Sequence, residues 1–400
     1  MKIIEVNSVP YGSTGGIARN LCDISKEKFT TYFAYSWTKS KRKNLSDDEI
    51  LIGTLFGKAS HMILSKITGN EFYFSVIDTL IFIKKLKKIK PDIIHIHNIH
   101  NWYLNIPIFF TYLKKNNIRV IWTLHDCWAV TGHCTSLIYC DKWKKSCFNC
   151  NKYKNYPQSI FDNSKKMHKL KKYWFSYLDD LTIVTPSNWL MNITKQTFLK
   201  KYSIFTIYNG IDLNIFNMKN RKEMFLESKK IKKFIILGVS LYWTKEKGID
   251  VFIRLAHDLG DDFQIVLVGT TEDDDKILPS NIISIHKTSS KSELADIYYS
   301  ADLFVNPTLG DVFGLVNVES LACGTPVLSY ATGGIPEIIC NDVGCIVEYN
   351  NYEQLKNKII EIENGKIKFK KDKCIKRAED FNYLNTYKKY LELYNEISKK

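Results

Sequence analysis

Residues 302–330 read DLFVNPTLGDVFGLVNVESLACGTPVLSY, and this stretch contains the pattern that decides the fold. An apolar run at residues 302–305 is followed by a loop with two glycines, a segment with helical spacing and a second apolar run at residues 326–329. Short, nearly continuous apolar runs of this kind are typical of strands in a parallel sheet covered on both faces. The stretch therefore predicts a strand, a loop, a helix and a second strand.

Similar apolar runs recur along the chain and alternate with helical patterns, which predicts an α/β fold with two doubly wound, Rossmann-like domains. An Asn-Gly turn at residues 209–210 and a polar stretch at residues 217–233 separate the two sets of runs. We predict a first domain over residues 1–205, joined by a C-terminal helix at residues 378–400, and a second domain over residues 206–377. The other predicted strands are residues 3–7, 92–97, 120–125, 181–185, 234–239 and 264–269.

The composition is that of a folded globular protein. Of the 400 residues, 45% are hydrophobic and 25% are charged, which excludes a disordered chain, a collagen and a small disulfide scaffold. The sequence has no apolar run of the length that spans a membrane and no secretory signal, so we expect a cytoplasmic location.

Basic residues are concentrated in the first half of the chain. Residues 1–200 carry a net charge of +16, and residues 201–400 carry a net charge of −1. A basic surface suits an anionic membrane, an anionic substrate or nucleic acid, although lysine enrichment can also reflect the source genome. No nucleic-acid-binding motif accompanies the charge, so a basic nucleic-acid-binding module is the least favoured interpretation.

The loop and helix after residue 305 contain candidate ligand-binding groups. Backbone N–H groups at residues 314–316, at the predicted helix start, can hold a phosphate, and the carboxylates of Asp311 and Glu319 can accept hydrogen bonds from sugar hydroxyls. Both carboxylates could instead only cap or solvate the helix. Gly15 and Gly16 follow the first strand and allow a ligand to approach the backbone, but the strict dinucleotide-binding glycine pattern is absent, which disfavours a dehydrogenase.

The order and spacing of several motifs resemble the retaining glycosyltransferases of family four, which have the GT-B fold of two Rossmann-like domains facing across a cleft. The resemblance covers nearly the whole chain and includes an acidic pair eight residues apart, Asp311 and Glu319. The other motifs that carry it are PSNW at residues 186–189, YNGID at 208–212, KG at 247–248, CGTPV at 323–327, GGIPE at 333–337 and Gly344.

This resemblance implies transfer of a sugar from a nucleotide-sugar donor to an acceptor hydroxyl with retention of the anomeric configuration, as in a hexosyltransferase. It implies that the second domain binds the donor and the first domain binds the acceptor. The implied catalytic residues are His125, Asp311 and Glu319, and the implied donor-binding residues are Gly15, Gly16, Lys245, Lys247, Gly314, Leu315, Val316 and Glu319.

Two residues depart from the family pattern. Asp311 replaces the first signature Glu with a shorter side chain, and no Arg precedes Lys247 in the segment that binds the donor diphosphate. Lys245 is the candidate substitute for this Arg, as a point charge without the bidentate guanidinium. A nucleotide-sugar epimerase or a phosphorylase of the same fold is the alternative enzyme.

Three histidines, His95, His97 and His100, surround the end of a predicted first-domain strand. We assign them to the acceptor cleft, because ligands of open α/β sheets gather at the carboxyl ends of the strands. Hydrogen-bonded structural histidines and a metal site are the alternatives. The resemblance implies that catalysis requires no metal cofactor.

Four cysteines, Cys134, Cys140, Cys147 and Cys150, lie within 17 residues and end in C-x-x-C. Four thiolates satisfy tetrahedral zinc, so the cluster is a candidate structural zinc site. Reduced thiols and disulfides are the alternatives that the spacing leaves open.

Residues 142–175 contain ten lysines, one acidic residue and eight aromatic residues. This composition suits an anionic membrane surface, and a solvated face with some buried aromatics is the alternative. Residues 124–128 and the cysteine-rich segment after them resemble a subgroup that builds bacterial surface polysaccharides, including lipopolysaccharide O-antigen and capsule. The resemblance therefore implies an acceptor on a lipid pyrophosphate and a peripheral position on the inner face of the cytoplasmic membrane.

Overall fold

The chain forms two α/β units, each built on a parallel sheet, in a computed structural model that describes residues 1–38, 45–219 and 233–399. The first unit comprises Met1–Ile207 and Tyr387–Lys400, and the second comprises Tyr208–Thr386. The division lies two residues after the predicted one, and residues 378–386 belong to the second unit instead of the first. Most of the polar stretch predicted at residues 217–233 lies outside the described residues.

The first unit is built on a seven-stranded parallel sheet with the strand order β3-β2-β1-β4-β5-β6-β7. Its strands are β1 (Lys2–Asn7), β2 (Thr30–Ser36), β3 (Glu49–Ile52), β4 (Ile93–Ile96), β5 (Arg119–Thr123), β6 (Leu181–Thr185) and β7 (Ser203–Thr206). Its helices before the division are α1 (Gly12–Ser25), α2 (Leu55–Thr68), α3 (Val76–Ile89), α4 (Ile106–Lys115), α5 (Ser164–Phe175) and α6 (Asn188–Thr194).

The second unit is built on a six-stranded parallel sheet with the strand order β10-β9-β8-β11-β12-β13. Its strands are β8 (Phe234–Val239), β9 (Phe263–Val268), β10 (Ile282–Ile285), β11 (Leu303–Asn306), β12 (Val327–Tyr330) and β13 (Gly344–Val347). Its helices are α7 (Ile249–Asp258), α8 (Glu272–Asp275), α9 (Lys291–Tyr299), α10 (Leu315–Ala322), α11 (Tyr352–Glu363) and α12 (Lys371–Glu379).

Both faces of the second sheet are buried, as the apolar runs predict. On β8, Leu237 packs into the core on one face of the sheet and Ile236 packs into the core on the other. This alternation follows from the two-residue period of a strand. The prediction of two doubly wound domains is confirmed.

The last helical segment is interrupted, contrary to the single helical face predicted from residue 378 onward. Helix α12 ends at Glu379, and helix α13 (Tyr383–Ser398) begins after a three-residue turn that ends in an isolated bridge to Ile211. In this stretch the Ile211 N–H donates to the Phe381 carbonyl at 3.0 Å, and the Tyr383 N–H donates to the Ile211 carbonyl at 3.0 Å. These backbone bonds to residue 211 replace helical bonds, so the helix stops and restarts.

Each sheet reverses its strand order at one point, and ligands of doubly wound sheets bind at such points. The reversal lies between β1 and β4 in the first unit and between β8 and β11 in the second. The candidate ligand groups follow the carboxyl ends of these strands. Within the described ranges, no helix has both the length and the apolar character needed to cross a bilayer.

Candidate functional site

The start of helix α10 is fixed by one glycine and two buried asparagines. Gly314 has a φ of +89°, and a Cβ there would lie 2.5 Å from Asn317 Nδ2. Asn317 Nδ2 donates to the Gly314 carbonyl at 3.0 Å, and Asn306 Nδ2 donates to Asn317 Oδ1 at 3.0 Å. The helix has neither a side-chain cap nor an acidic residue in its first turn, so the first N–H groups, at Leu315 and Val316, can receive an anion.

Lys247 and Asp311 form an ion pair with 3.1 Å between Nζ and Oδ2. Lys247 ends a short 3-10 turn, and its N–H donates to Thr244 Oγ1 at 3.2 Å. The exposed fractions of the two side chains are 32% and 26%, so a ligand can reach both. Lys245 is exposed on the same turn, and the ion pair of Asp311 is with Lys247.

The backbone of Asp311 is held by the GGIPE motif. Gly334 N–H donates to the Asp311 carbonyl at 3.2 Å. Gly333 has a φ of +55°, and a Cβ there would lie only 1.6 Å from the same carbonyl oxygen. Only glycine fits at position 333 without displacing Asp311, which explains why this motif accompanies the acidic pair.

Glu319 lies one turn into helix α10 and receives a hydrogen bond from Tyr298 Oη to its Oε2 at 3.2 Å. Burial raises the pKa of Glu319 to about 7, although the Tyr298 hydrogen bond and Lys291 act in the opposite direction. Its carboxylate is therefore ionised in only about half of the molecules at neutral pH. Perturbed carboxylates of this kind cluster at functional sites.

In the first unit, a buried carboxylate lies beneath the carboxyl ends of β1 and β4. Glu5 Oε2 lies 2.9 Å from both His95 Nδ1 and His97 Nε2, and Tyr394 Oη donates to Glu5 Oε1 at 2.7 Å. Burial alone would raise the pKa of Glu5, but the interactions with His95 and His97 outweigh it and lower the pKa to about 2. Glu5 is therefore ionised at neutral pH.

A chain of hydrogen bonds leads from Glu5 through His97 to His125. His97 Nε2 lies 2.9 Å from Glu5, and His97 Nδ1 lies 2.9 Å from His125 Nε2. Burial and the neighbouring His95 lower the pKa of His97 to about 4, despite the nearby Glu5 carboxylate. Burial also lowers the pKa of His125 well below its usual range. Both rings are therefore neutral at pH 7.

The neutral rings and the ionised Glu5 assign the tautomers. The carboxylate accepts from His97 Nε2–H, which leaves His97 Nδ1 as an acceptor for His125 Nε2–H. His125 Nδ1 is then an unprotonated acceptor, and His125 is only partly buried. This nitrogen can accept a hydrogen bond from a ligand hydroxyl.

The three histidines assigned to the acceptor cleft are instead buried, which corrects that prediction. The exposed fractions of His95 and His97 are 0% and 1%, because they belong to the network around Glu5. His95 Nε2 contacts Thr123 Oγ1 at 2.8 Å. His100 contacts Asp126 Oδ2 at 2.9 Å and the hydroxyl of Tyr156 at 3.1 Å. The structural alternative therefore describes these three histidines better than contact with an acceptor.

The group of Glu5, His95 and His97 also has the donor atoms of a metal site, within 4.8 Å of one another. All of these donor atoms already have partners in the hydrogen-bonded network. The network therefore accounts for this cluster without an ion.

The two predicted glycines are the fourth and fifth residues of α1. A Cβ on Gly15 would lie 2.5 Å from the Val9 carbonyl oxygen, whereas a Cβ on Gly16 would meet no atom within 4 Å. Gly15 is therefore required for packing, and Gly16 faces open space where a ligand can approach. Helix α1 also begins without a side-chain cap.

The cysteine segment contains one sulfur–sulfur contact, between Cys134 and Cys150, whose Sγ atoms are 3.9 Å apart. Cys147 Sγ accepts from the Gly132 N–H at 3.1 Å. No disulfide joins Cys134, Cys140, Cys147 and Cys150, all of which lie in the described part of the chain.

Two family models match consecutive parts of the chain. The model "Glycosyltransferase Family 4" matches residues 62–215, and the model "Glycosyl transferases group 1" matches residues 220–381. The chain belongs to the family four glycosyltransferases, which have the GT-B fold.

Relatives and solved structures agree with this assignment. The glycosyltransferase is 22% identical to a putative colanic acid biosynthesis glycosyl transferase, WcaC of Escherichia coli, over 89% of both chains. It is 26% identical to a 41.2 kDa protein in the cps region of Klebsiella pneumoniae, over 79% of this chain and 82% of the relative. Its fold matches sucrose-phosphate synthase from Thermosynechococcus elongatus, with a TM-score of 0.73 at 16% identity over 99% and 98% of the two chains. It also matches Anabaena HepE in complex with UDP, with a TM-score of 0.69 at 14% identity over 99% and 100%.

Sequence reasoning on the glycosyltransferase missed Glu5, Tyr298 and Tyr394. Glu5 lies between Ile4 and Val6 on a buried strand. A buried carboxylate requires a hydrogen-bonding partner, so its position in an apolar run could have marked Glu5 as a functional candidate. Tyr394 lies 389 residues from Glu5, and no local pattern links the two residues. Tyr298 appears in the sequence only as part of an apolar helical face.

Proposed function

We propose that this glycosyltransferase is a retaining hexosyltransferase of surface polysaccharide synthesis. It transfers a sugar from a nucleotide-sugar donor to a saccharide acceptor on a lipid pyrophosphate. The observation that carries the proposal is that the Lys247–Asp311 pair, the uncapped start of α10 and Glu319, hydrogen-bonded by Tyr298, follow the neighbouring strands β8 and β11. The colanic acid and cps-region relatives support a role in surface polysaccharide synthesis.

The donor site combines a cation, backbone N–H groups and two carboxylates. Lys247 Nζ and the first N–H groups of α10 stabilise the diphosphate as it leaves with its negative charge. Glu319 accepts hydrogen bonds from the ribose hydroxyls, and Asp311 accepts them from hydroxyls of the transferred sugar. Structures of HepE contain UDP or UDP-glucose, which makes UDP-sugars the first donors to test.

His125 supplies an acceptor for a hydroxyl of the sugar substrate. Its Nδ1 is unprotonated because Glu5 and His97 hold the proton on the opposite ring nitrogen. We take retention of configuration from family four. A front-face departure, in which the leaving diphosphate takes the acceptor proton, requires no covalent nucleophile from the protein.

Donor binding is tested by saturation-transfer NMR with UDP-, GDP-, ADP- and CMP-sugars. We expect one nucleotide class to bind, and we expect Glu319→Gln and Lys247→Met to weaken binding at least about tenfold. Glu363→Gln is the matched control, because Glu363 is an exposed carboxylate on α11. Absence of binding across the panel would contradict the proposed site.

Transfer is tested with the donor that binds and a polyprenyl-pyrophosphate-linked hexose. The anomeric configuration of the product by NMR then establishes retention or inversion. Epimerised donor or sugar phosphate without a glycosidic product would identify an epimerase or a phosphorylase instead.

Helices α2 and α3 of the first unit expose a set of large apolar side chains, here called the α2–α3 apolar face. Phe56 is 82% exposed and Ile77 is 73% exposed. A hydrogen bond links the end of the loop between them to α2, where His61 Nδ1 lies 2.7 Å from Ser75 Oγ, just before α3. Exposed apolar sets of this size mark interaction surfaces. The other members used here are Ile63, Ile67, Leu80 and Ile81.

Exposed lysines follow this face along α3, at Lys84, Lys85, Lys87 and Lys88. Apolar side chains beside a row of lysines complement an anionic membrane, where the apolar groups enter the headgroup region and the lysines meet the phosphates. We propose that this face docks the enzyme on the membrane that carries its lipid-linked acceptor.

The lysine-rich segment at residues 142–175 is only partly exposed, since Phe161 and Tyr173 are exposed whereas other aromatic side chains of the segment are buried. Trp143 and Phe175 in that segment have exposed fractions of 3% and 0%, so they belong to the core. Lys171 is also buried, and its Nζ donates to the Trp128 carbonyl at 2.7 Å. The alternative of a face with buried aromatics therefore describes part of the segment.

Membrane docking is tested by cosedimentation with phosphatidylglycerol vesicles and with phosphatidylcholine vesicles. We expect binding to the anionic vesicles that weakens with salt and falls at least about tenfold in Ile77→Glu. Leu241→Glu is the matched control, because Leu241 is 86% exposed in the second unit. Equal binding by the two variants, or no binding by the natural protein, would contradict the docking surface without affecting the donor site.

A further inference from the structure

The segment after His125 is long and contains little regular structure. Between β5 and α5, residues 124–163 contain only two 3-10 turns, at Trp128–Val130 and Lys142–Lys144. Connections of this length without helices or strands are uncommon in compact domains. The segment nevertheless buries Trp128 and Trp143. Such an irregular segment requires a specific cross-link or a large core of its own to stay folded.

The Cys134–Cys150 contact has the separation of two zinc ligands. Zinc–sulfur bonds of about 2.3 Å in a tetrahedron place the sulfurs about 3.8 Å apart. The observed separation is 3.9 Å, whereas a disulfide requires about 2.05 Å. Two residues from opposite ends of the cysteine cluster therefore already stand at the ligand spacing.

The other two cysteines lie near this pair. Cys134 interacts electrostatically with Cys140, and Cys147 interacts with both Cys140 and Cys150. Among the described residues, no three of these four sulfurs lie within 4.8 Å of one another, so Cys140 and Cys147 must turn to complete a tetrahedron. Rotation about one Cα–Cβ bond moves a cysteine sulfur by about 3 Å, so side-chain rotation can bring a nearby sulfur closer to the pair.

The surroundings suit a cluster with negative charge. Four thiolates around Zn²⁺ carry a net charge of −2, and Lys152 and Lys142 interact favourably with the negative charge of Cys134 and Cys150, whereas Asp162 opposes it at Cys150. The Gly132 N–H already donates to Cys147 Sγ at 3.1 Å, and hydrogen bonds of this kind orient thiolate ligands.

We infer that Cys134, Cys140, Cys147 and Cys150 form a structural zinc site. Zinc displaces the four thiol protons, and four protein ligands leave no open position for a substrate, so the metal cross-links the segment without taking part in the reaction. The cross-linked segment begins at His125. This inference stands apart from the proposed transfer reaction.

The site is tested by measuring zinc in protein purified without chelators and without a metal-affinity tag. We expect about one zinc per chain by mass spectrometry of the metal, and a loss of at least about tenfold in Cys134→Ser and Cys150→Ser. Cys340→Ser is the matched control, because Cys340 is an exposed cysteine of the second unit. Cobalt exchanged into the natural protein should give the absorption bands of tetrahedral thiolate coordination.

A second measurement on the natural protein avoids variants that fail to fold. Removing zinc with a chelator should speed tryptic cleavage at Lys142, Lys144 and Lys145 at least about tenfold, and added zinc should restore protection. Natural protein without zinc and with four reactive thiols in the segment would overturn the inference. A Cys134–Cys150 disulfide found by mass spectrometry of freshly purified protein would also overturn it.

Discussion

With Glu319 at the donor ribose, as proposed, donor affinity should rise with pH, because an ionised carboxylate accepts hydrogen bonds from both ribose hydroxyls. Burial raises the pKa of Glu319 to about 7 in the free protein. A protonated carboxyl keeps one of its oxygens as a donor, so it accepts fewer hydrogen bonds. Nucleotide-sugar binding then displaces a proton from Glu319.

The magnitude follows from the pKa. With a pKa of about 7, the ionised fraction rises from about 0.1 at pH 6 to about 0.9 at pH 8, so affinity should rise about tenfold over this range. About half a proton should be released per ligand bound at pH 7. Tyr298→Phe removes a hydrogen bond that lowers the pKa of Glu319, so its binding profile should shift to higher pH.

The same pKa predicts a stability effect of the opposite sign. The folded state holds the Glu319 proton more tightly than the unfolded state, so this stabilisation is complete below about pH 4.5 and is lost as the pH rises through about 7. Glu319→Gln should therefore be more stable than the natural protein at pH 8, by about 1–3 kcal/mol after allowance for partial exposure, and about equal at pH 4.5.

Isothermal titration calorimetry with UDP-glucose at pH 6, 7 and 8, in buffers with different ionisation heats, measures affinity and proton release together. UDP-glucose is suitable because its diphosphate is esterified at both ends and does not titrate in this range. Glu319→Gln should bind weakly and without pH dependence. A flat profile for the natural protein, or the same slope in Glu319→Gln, would refute the assignment of Glu319 to the ribose.

Three further predictions concern the first unit. Gly16→Ala should leave the free energy of unfolding unchanged or raise it by up to about 1 kcal/mol, because the added methyl group meets open space on a helix. The same methyl group should obstruct the ligand and reduce transfer about tenfold or more, so unchanged activity in the transfer assay would contradict this role. Glu5→Gln should reduce the free energy of unfolding in urea by about 3 kcal/mol at pH 7, because it leaves the buried partners of a carboxylate with a pKa of about 2 unmatched; a loss below about 1 kcal/mol would contradict the network. Burial lowers the pKa of His61 and of His97 to about 4. The stability that each contributes as a neutral ring is therefore complete above pH 6.5 and is lost as the pH falls toward 4. Urea midpoints that stay constant from pH 7 to pH 5 would contradict this.

Sequence patterns predicted the central strands well and the sheet edges poorly. All eight predicted strands are present, whereas β2, β3, β7, β10 and β13 were missed. Four of them, β3, β7, β10 and β13, are edge strands of only four residues each, too short for the continuous apolar run that marks a central strand. The inner strand β2 was missed because polar residues interrupt its sequence, TTYFAYS. The interruption before α13 was missed because Phe381 fits both a helical face and the core.

The sequence determined the parallel sheets and the residues at their carboxyl ends, because apolar runs and glycine turns act over a few neighbouring residues. The residue pattern pointed to Asp311 and Glu319 as candidate ligand groups, and the resemblance to family four implied Lys247. The sequence could not show that Glu319 is half-ionised, because that depends on burial and on Tyr298 from another helix.

Only the tertiary structure decided the roles of the histidines. On the sequence, His95 and His97 are polar residues at a strand end, where ligands gather. The fold places them around Glu5 from a neighbouring strand and Tyr394 from the last helix, at 0% and 1% exposure. The position of the proton on His125 thus depends on Glu5, which is 92 positions from His97 and 389 positions from Tyr394 in the sequence. Hydrogen bonding and desolvation act through space, so residue order along the chain cannot determine them.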